Sequence, residues 1–252
     1  MNQISIRPAT VADADAICRV QMDAQEPLHE FYELFFKDHP RKLAPIALRQ
    51  ALARPDKFTF LVAEKEETDG SASKEVVGYA RYTIVRAADD AAGESTPAPP
   101  ASTVWDRPGH MDELWGQFNA DQDAGEAVVE EVIAGRRHLW VQQVMILPDR
   151  QRQGIGRKLL QKALDEADAQ GVPSILTSSE KGYGLYVRLG FVSLAEFTLD
   201  NGAWTVRVLE HLKSLGMSRD ETLAEKYRGT VEKGWAMIRE VAKNTRQCVS
   251  LV

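Results

Sequence analysis

The sequence contains only two cysteines, Cys18 and Cys248, and neither stands near a second cysteine or a group of histidines. This scarcity indicates neither a disulfide framework nor a zinc site. No stretch approaches the roughly 18 consecutive apolar residues that a membrane helix requires. The first residues also lack the basic and then apolar pattern of a signal peptide. We therefore expect a cytoplasmic protein that has no membrane partner and binds no metal.

Basic residues are fewer than acidic ones: the sequence has 31 lysines and arginines and 37 aspartates and glutamates, for a net charge of -6. That balance argues against nucleic-acid binding, which depends on neutralising phosphates. Residues 87–137 contain eleven acids and three bases, which leaves the rest of the chain at -6 + 8 = +2. This segment holds four prolines between Pro97 and Pro108 and little periodicity before Ala127. It predicts an acidic insertion, partly loop, within a single domain over residues 1–252.

The first 86 residues show helical and strand periodicities that alternate along the chain. Asp69-Gly70 is a turn signal between two β-favouring runs, which predicts a hairpin. The predicted elements are a strand at 4–7, helices at 11–22, 31–39 and 44–53, and hairpin strands at 58–63 and 76–85.

From His138 onward the pattern becomes more regular. Residues 139–147 are nearly all apolar, as is typical of a central strand covered on both faces. A helix follows Gly156 and ends at Gly171, and residues 174–177 predict a strand parallel to the first. A short helix at 182–189 and a strand at 191–199 come next.

The last fifth of the sequence supports two interpretations. The tripeptide 200–202 is a turn signal, and Ser218 with Glu221 forms a capping box. Apolar residues then keep helical spacing from Leu223 to Ile238, although Gly229 and Gly234 interrupt it.

The segment from Gln151 to Gly156 lies between the central strand and the following helix. Two glycines at such a junction expose backbone amides at the positive end of a helix dipole and allow a pyrophosphate to approach closely. Four basic residues, Arg150, Arg152, Arg157 and Lys158, flank the segment beside a single acid, Asp149. The sequence therefore predicts a binding site for a multiply phosphorylated ligand.

Two common nucleotide motifs are absent from this junction. A dinucleotide fingerprint would need a third glycine where Leu159 stands, and no P-loop sequence is present. Gln151-x-x-Gly154-x-Gly156 instead resembles the signature of the GNAT family of N-acetyltransferases. The resemblance extends to the strand end at 144–148, to the motif at 185–191, and loosely to residues 3–86.

The resemblance implies an α/β fold of the GNAT type: a mixed, mostly antiparallel, twisted sheet with a splayed parallel central strand pair, flanked by helices. It implies a closing strand at 235–239 and therefore a second insertion at 203–230. Acetyl-CoA would be the acetyl donor. The residues that would contact it are Val144, Met145, Ile146, Gln151, Arg152, Gln153, Gly154, Ile155, Gly156, Arg157, Ser179 and Tyr186.

Specific roles follow from the same resemblance. The main chain of Val144 and Ile146 would bind pantetheine, and the amide of Ile146 would polarise the acetyl carbonyl. Tyr186 would be the general acid. Ser179 stands where the family often has an asparagine that contacts the cofactor.

The general base stays open between three alternatives: His138, Glu180 and a chain of water molecules. The possible walls for a cationic acceptor are Glu26, Glu30 and Tyr32 on the early helices. The predicted reaction transfers acetyl to a primary amine of a small molecule or peptide, by direct attack in a ternary complex. The alternative is a non-catalytic module that binds acyl-CoA as a sensor or scaffold. In either case we expect a monomer or a homodimer.

Overall fold

One seven-stranded mixed sheet organises the computed structural model, which describes residues 4–66, 74–87 and 105–241. The strand order is β1-β2-β3-β4-β5-β7-β6, and only the β4-β5 pair is parallel. The strands are β1 (Ile4–Pro8), β2 (Thr59–Glu66), β3 (Lys74–Val85), β4 (His138–Ile146), β5 (Ser174–Ser179), β6 (Val192–Asp200) and β7 (Val231–Arg239). The predicted fold class is therefore confirmed.

Helices cover both faces of this sheet. They are α1 (Ala14–Gln25), α2 (His29–Glu33), α3 (Pro40–Leu52), α4 (Asp112–Gln122), α5 (Ala124–Ile133), α6 (Ile155–Gln170), α7 (Glu180–Arg188), α8 (Asn201–Ser214) and α9 (Thr222–Lys226). Consecutive strand residues point to opposite faces. Tyr79 of β3 hydrogen-bonds to Gln21 of α1, whereas its neighbour Gly78 lies against Ile155 of α6. Helices α1 and α6 therefore cover opposite faces.

Neighbouring residues of β5 place the remaining sheet-covering helices. Ile175 packs with Val129 and Ile133 of α5, whereas Leu176 belongs to the main core together with Tyr186 of α7. Helix α5 thus lies on the α1 face of the sheet, and α7 lies beside α6 on the other face.

Most of the strongly periodic segments form the predicted elements, but the helix predicted at 31–39 is wrong in its bounds, because α2 covers only His29–Glu33. Strand β1, the β2-β3 hairpin, the βαβ unit β4-α6-β5, helix α7 and strand β6 are confirmed, although the turn Asp69-Gly70 lies outside the described residues. Helix α3 begins earlier than predicted, at Pro40 instead of residue 44. Proline suits the first helical position because that residue's amide has no intrahelical partner. The preceding residue, His39, caps the helix through Nδ1, which accepts from the Arg41 amide at 3.0 Å.

One prediction near the C-terminal end of the sheet is wrong, and one of the two interpretations of the last fifth of the sequence is excluded. Residues 200–202 do not form a turn, because Asp200 ends β6 and caps α8 by accepting from the Ala203 amide at 2.8 Å. A long helix after Ser218 and Glu221, one of those two interpretations, is absent. Helix α9 covers only Thr222–Lys226, and Asp220 bonds to the Thr222 amide instead. The closing strand β7 is confirmed and starts earlier, at Val231.

The two segments predicted as insertions contain more helix than the sequence indicated. Helix α4 was not predicted, because only Leu114 and Phe118 on it are buried, and residues 88–104 lie outside the described part of the chain. Phe118 belongs to a second hydrophobic cluster, which joins α2, α4, α8 and α9. The aromatic members of this satellite cluster are Phe31, Tyr32, Phe35, Phe36, Trp105, Trp115, Phe118, Trp204 and Tyr227.

A charged cluster ties β1 and β2 to the start of α1. Arg7 makes two parallel hydrogen bonds to Asp13, of 2.7 and 2.8 Å, and its Nε donates to Glu64 at 2.8 Å. The bond from Arg7 lowers the pKa of Asp13 to about 2, against an opposing effect of burial. A lowered folded-state pKa stabilises the fold above the ordinary carboxyl pKa, and that stabilisation is lost as the pH falls towards 2.

We expect Asp13→Asn to reduce the free energy of unfolding by about 1 kcal/mol at neutral pH, since solvent screens the exposed part of Arg7. Urea unfolding at pH 7 and at several values between 4 and 2 measures this. The difference between wild type and variant should shrink as the pH falls. A constant difference over that range would contradict the role of the charge.

Candidate active site

The parallel strands β4 and β5 separate soon after they meet. Their pairing consists of Leu139 with Ser174 and Trp140 with Ile175. Beyond that point β4 continues to pair with β3 as far as Ile146, and β5 pairs with β7 as far as Ser179. The facing edges of β4 and β5 are therefore unpaired, which leaves main-chain groups available to a ligand between the strands.

A β-bulge in β4 lies at the point of separation. Arg81 pairs with Gln143 and Tyr82 with Val141, so Gln142 is the extra residue. A bulge bends its strand and changes which face the following side chains occupy. After it, Gln143 and Met145 contact the hydroxyl of Tyr79 on the α1 face, at 3.1 and 3.4 Å.

The loop before α6 forms an anion cradle. Gly154 caps the helix with φ +79°, and Arg152 also has a left-handed φ of +63°. The first amides of a helix have no intrahelical partner, and those of residues 152–157 make no hydrogen bond to another segment of the described chain. Arg152, Arg157 and Lys158 form no ion pair with any acid that the structure describes. The cradle therefore offers free amides and unpaired positive charge.

Not every basic residue of this loop contributes to the cradle. Arg150 lies towards Glu75 of β3, at 3.7 Å, and towards its neighbour Asp149, at 3.3 Å. These two carboxylates already neutralise its charge. The predicted basic flank is thus reduced to Arg152, Arg157 and Lys158.

Side-chain amides hold the loop to the end of β4. Gln151 donates to the carbonyl of Ile146, and Gln153 donates to that of Asp149, both at 3.2 Å. Behind the loop, a Cβ on Gly156 would lie 3.3 Å from Leu185 and 4.0 Å from Ile146. Strand β4, the loop, α6 and α7 therefore converge around Gly156. This arrangement fits a pyrophosphate at the cradle with its chain directed between β4 and β5.

Tyr186 lies on α7, next to Leu185. Its ring packs edge-on against Phe191 at 5.8 Å, and burial raises its pKa to about 12. No residue in the described ranges hydrogen-bonds to its hydroxyl. At neutral pH Tyr186 therefore carries its proton, and its hydroxyl is free to donate a hydrogen bond.

Ser179 is exposed at the start of α7. Its extended backbone caps the helix, and its side chain makes no capping hydrogen bond.

His138 lines a small cavity on the other face of the sheet, beneath α5. The cavity has a volume of about 90 Å³. Its lining residues are Val85, Glu126, Val129, Glu130, His138, Trp140, Ile175, Leu176 and Thr177. His138 Nδ1 lies 2.7 Å from the carbonyl of Arg136 and donates to it, because a carbonyl oxygen only accepts.

Glu126 also lines this cavity, and the sequence did not identify it as a candidate functional residue. Burial raises its pKa to about 7, and the negative charges of Asp123 and Glu130 add to the effect. The only sequence signal was its place in the acidic insertion, immediately before the periodic segment that forms α5. Because most acids there are exposed, that signal could not distinguish Glu126 from its neighbours.

The other acceptor-side candidates do not line this cavity. Glu180 is exposed at the first residue of α7, and Glu30 forms an ion pair with Lys226. Tyr32 packs in the satellite cluster, where the amide of Gln122 donates to its hydroxyl at 3.4 Å. The side chain of Glu26 lies outside the described part of the structure.

Comparison with known sequences decides the family. The sequence model of the acetyltransferase (GNAT) family matches residues 24–191, which is more than half of the chain. The chain belongs to the GNAT family of acetyltransferases. Acetyl-CoA is the acetyl donor that this membership implies, and the cradle fits it. No curated protein matches the sequence of this GNAT acetyltransferase.

Many solved structures match this chain, and the three that follow are distant from it in sequence. One structure is from Corynebacterium glutamicum and is named "histone acetyltransferase HPA2 and related acetyltransferase". It is 18% identical, with a TM-score of 0.51, and the match covers 97% of this chain and 99% of that one. A paiA N-acetyltransferase from Thermoplasma acidophilum in complex with coenzyme A is 12% identical, covering 94% and 99%, with a TM-score of 0.45.

A GNAT acetyltransferase from Brucella melitensis in complex with acetyl-CoA is 20% identical, covering 77% of this chain and 85% of that one, with a TM-score of 0.42. At such low identity, likeness to solved structures bears on the fold alone. In the described residues of this GNAT acetyltransferase, no helix has the length and apolar character needed to span a membrane.

Proposed function

We propose that this GNAT protein transfers the acetyl group of acetyl-CoA to a primary amine, by direct attack in a ternary complex. The observation that carries the proposal is the opening between β4 and β5. It begins at Trp140, which also lines the cavity under α5, and it ends beside the cradle at Gly154. Donor and acceptor can therefore reach one point from opposite faces of the sheet.

The donor side would be held by the cradle and by β4. The free amides at the start of α6, with Arg152 and Arg157, suit the pyrophosphate, and the unpaired edge of β4 at Val144 suits the amide groups of pantetheine. When bound, acetyl-CoA supplies a thioester, which is an activated acetyl group. The Ile146 carbonyl already accepts from Gln151, so its amide is the group of that residue proposed to act on the substrate.

Tyr186 is proposed to assist the departing thiolate. A tyrosine with a pKa of about 12 is a weaker acid than a thiol with a pKa of about 8.5. Full proton transfer to the thiolate would therefore be uphill by roughly 5 kcal/mol at 1.36 kcal/mol per pKa unit. We infer that Tyr186 stabilises the leaving group mainly by donating a hydrogen bond.

Thiol release from acetyl-CoA, measured across a panel of alkylamines, diamines and peptides, tests the proposal. We expect release with at least one amine, together with a product that has gained one acetyl group by mass. Coenzyme A binding should be measured in parallel by calorimetry. Tight binding without thiol release for any amine would favour the alternative of a non-catalytic acyl-CoA sensor or scaffold.

A further inference from the structure

Helix α5 runs along the sheet with Glu126 at its end nearer the open end of β5. Gly125 packs directly on the ring of Phe197, where a Cβ would lie 2.3 Å from the ring, and Phe197 is paired with Gly234 of β7. Gly234 is in turn paired with Ser179, at the open end of β5. The other end of α5, at Ile133, packs in the cluster that contains Ile175, at the closed end.

The direction of α5 therefore places the two candidates for the general base, Glu126 and His138, at different ends of the cavity. Glu126 is adjacent to Gly125 and lies towards the diverging ends of the strands, where the donor is expected. His138 pairs with Val85 and precedes both β4-β5 residue pairs, so it lies at the closed end. There its ring is hydrogen-bonded to the carbonyl of Arg136. Of these two groups, Glu126 is the better placed to reach an amine that attacks between the strands.

The charge of Glu126 is not compensated. Within the described residues, no side chain forms an ion pair or hydrogen bond with its carboxylate. The titratable groups that face it are Asp123 and Glu130 of its own helix and His138 of β4, while β3 and β5 present Val85, Ile175 and Thr177. No lysine or arginine occurs among the described lining residues. A half-buried carboxylate in such surroundings is complementary to a cationic ligand.

Size and apolar lining narrow the class of that cation. A dry apolar cavity of about 150 Å³ holds a benzene molecule, so one of about 90 Å³ suits a short unbranched chain. Val85, Val129, Trp140 and Ile175 provide apolar contacts for methylene groups. An aminoalkyl group combines such a chain with a terminal ammonium.

We propose that Glu126 is the general base of the reaction and that the cavity under α5 holds the aminoalkyl end of the acceptor. This inference rests on the proposed acetyl transfer. Glu126 takes one proton from the ammonium, and the neutral nitrogen forms a bond to the thioester carbonyl carbon. The carbon–sulfur bond then breaks, and the thiolate leaves with the Tyr186 hydroxyl as its hydrogen-bond donor. The second nitrogen proton is lost to solvent as the amide forms.

The pH dependence follows from the raised pKa of Glu126, about 7. Below that value the carboxyl is protonated and resembles the glutamine of a Glu126→Gln variant. Above it the wild type has a base that the variant lacks. The ratio of wild-type to variant kcat/KM should therefore increase with pH and level off above about 7.

The test compares wild type, Glu126→Gln, His138→Gln and Glu131→Gln, with n-butylamine and cyclohexylamine as probes. Glu131 is exposed on the same helix and outside the cavity, so its variant is the matched control. With n-butylamine near pH 8.5 we expect Glu126→Gln to lose about 100-fold in kcat/KM, and only a few-fold near pH 5.5. Glu131→Gln should match the wild type, and cyclohexylamine should be the poorer acceptor.

A second readout does not depend on activity. Because the folded protein raises the pKa of Glu126, its ionisation destabilises the fold as the pH rises through about 7. The melting temperature of Glu126→Gln should therefore exceed that of the wild type near pH 8 and match it near pH 4, below the ordinary carboxyl pKa. Equal melting temperatures at both values would show that the carboxylate is solvated and would overturn the assignment.

The outcomes separate this inference from the proposed function. If the wild type turns over but Glu126→Gln keeps its rate and pH profile, or if only His138→Gln loses them, the base assignment is wrong and acetyl transfer stands. If the wild type releases no thiol with any amine, acetyl transfer itself is wrong, and the base assignment is rejected with it.

Discussion

A Gly154→Asp variant is expected to bind coenzyme A at least about 100-fold more weakly than the wild type. Gly154 caps α6 with φ +79°, and a Cβ there would meet no atom within 4 Å, so the position has room for a side chain. Aspartate tolerates the left-handed region better than most residues. Its charge, roughly 5 Å from a bound pyrophosphate, would oppose binding by about 3 kcal/mol. Calorimetric titration with coenzyme A measures the change.

The same helix provides the matched control. Gly171 caps its other end with φ +66°, and a Cβ at this position would also meet no atom within 4 Å. Gly171→Asp introduces the same strain, about 1 kcal/mol, and the same charge at a distance from the cradle. It should lower the melting temperature at least as much as Gly154→Asp, because a negative charge is unfavourable at a helix C-terminus, yet leave coenzyme A affinity unchanged. Equal losses of affinity in both variants would show that the effect is one of folding.

A Tyr186→Phe variant is expected to lose about 100-fold in kcat while its affinity for coenzyme A and its stability stay close to those of the wild type. The Tyr186 side chain is buried and its hydroxyl has no partner in the described structure, so removing the hydroxyl breaks no hydrogen bond of the fold. Its loss should matter only when a thiolate develops beside it. Steady-state kinetics with a responsive amine, combined with thermal unfolding, separates the two effects.

Tyr82→Phe is the corresponding control for a buried tyrosine. Its hydroxyl donates to Glu166 of α6 at 2.6 Å, so the variant should lose about 1 kcal/mol of stability while kcat is unchanged. If Tyr186→Phe behaved like Tyr82→Phe, with reduced stability and full activity, Tyr186 would be a packing residue.

The donor side of the site could be predicted because its determinants lie close together in the sequence. The strand, the two glycines and the amphipathic helix of β4-α6 are contiguous, and each requires only local geometry. Even here one detail needed the fold, since the pairing of Arg150 with Glu75 depends on where β3 lies.

The acceptor side could not be predicted in the same way. Helix α4 has a narrow buried stripe, and Glu126 resembles its exposed neighbours until α5 docks on Phe197. Tyr32 was a reasonable wall residue on its helix, but it is partly buried against the satellite cluster and packs edge-on to Phe118 of α4. Such contacts join segments distant in sequence, and periodicity carries no information about them.

The position of β7 between β5 and β6 has a consequence for the order of synthesis. Strand β7 is synthesised after the other six strands, yet it pairs with one edge of β5 and with one edge of β6. On the ribosome, those edges have no partner until residues 231–239 have left the exit tunnel. Unpaired edges are sites of intermolecular association. Nascent chains interrupted before β7 would therefore depend on chaperones, although all of the proposed donor-binding residues have already been made.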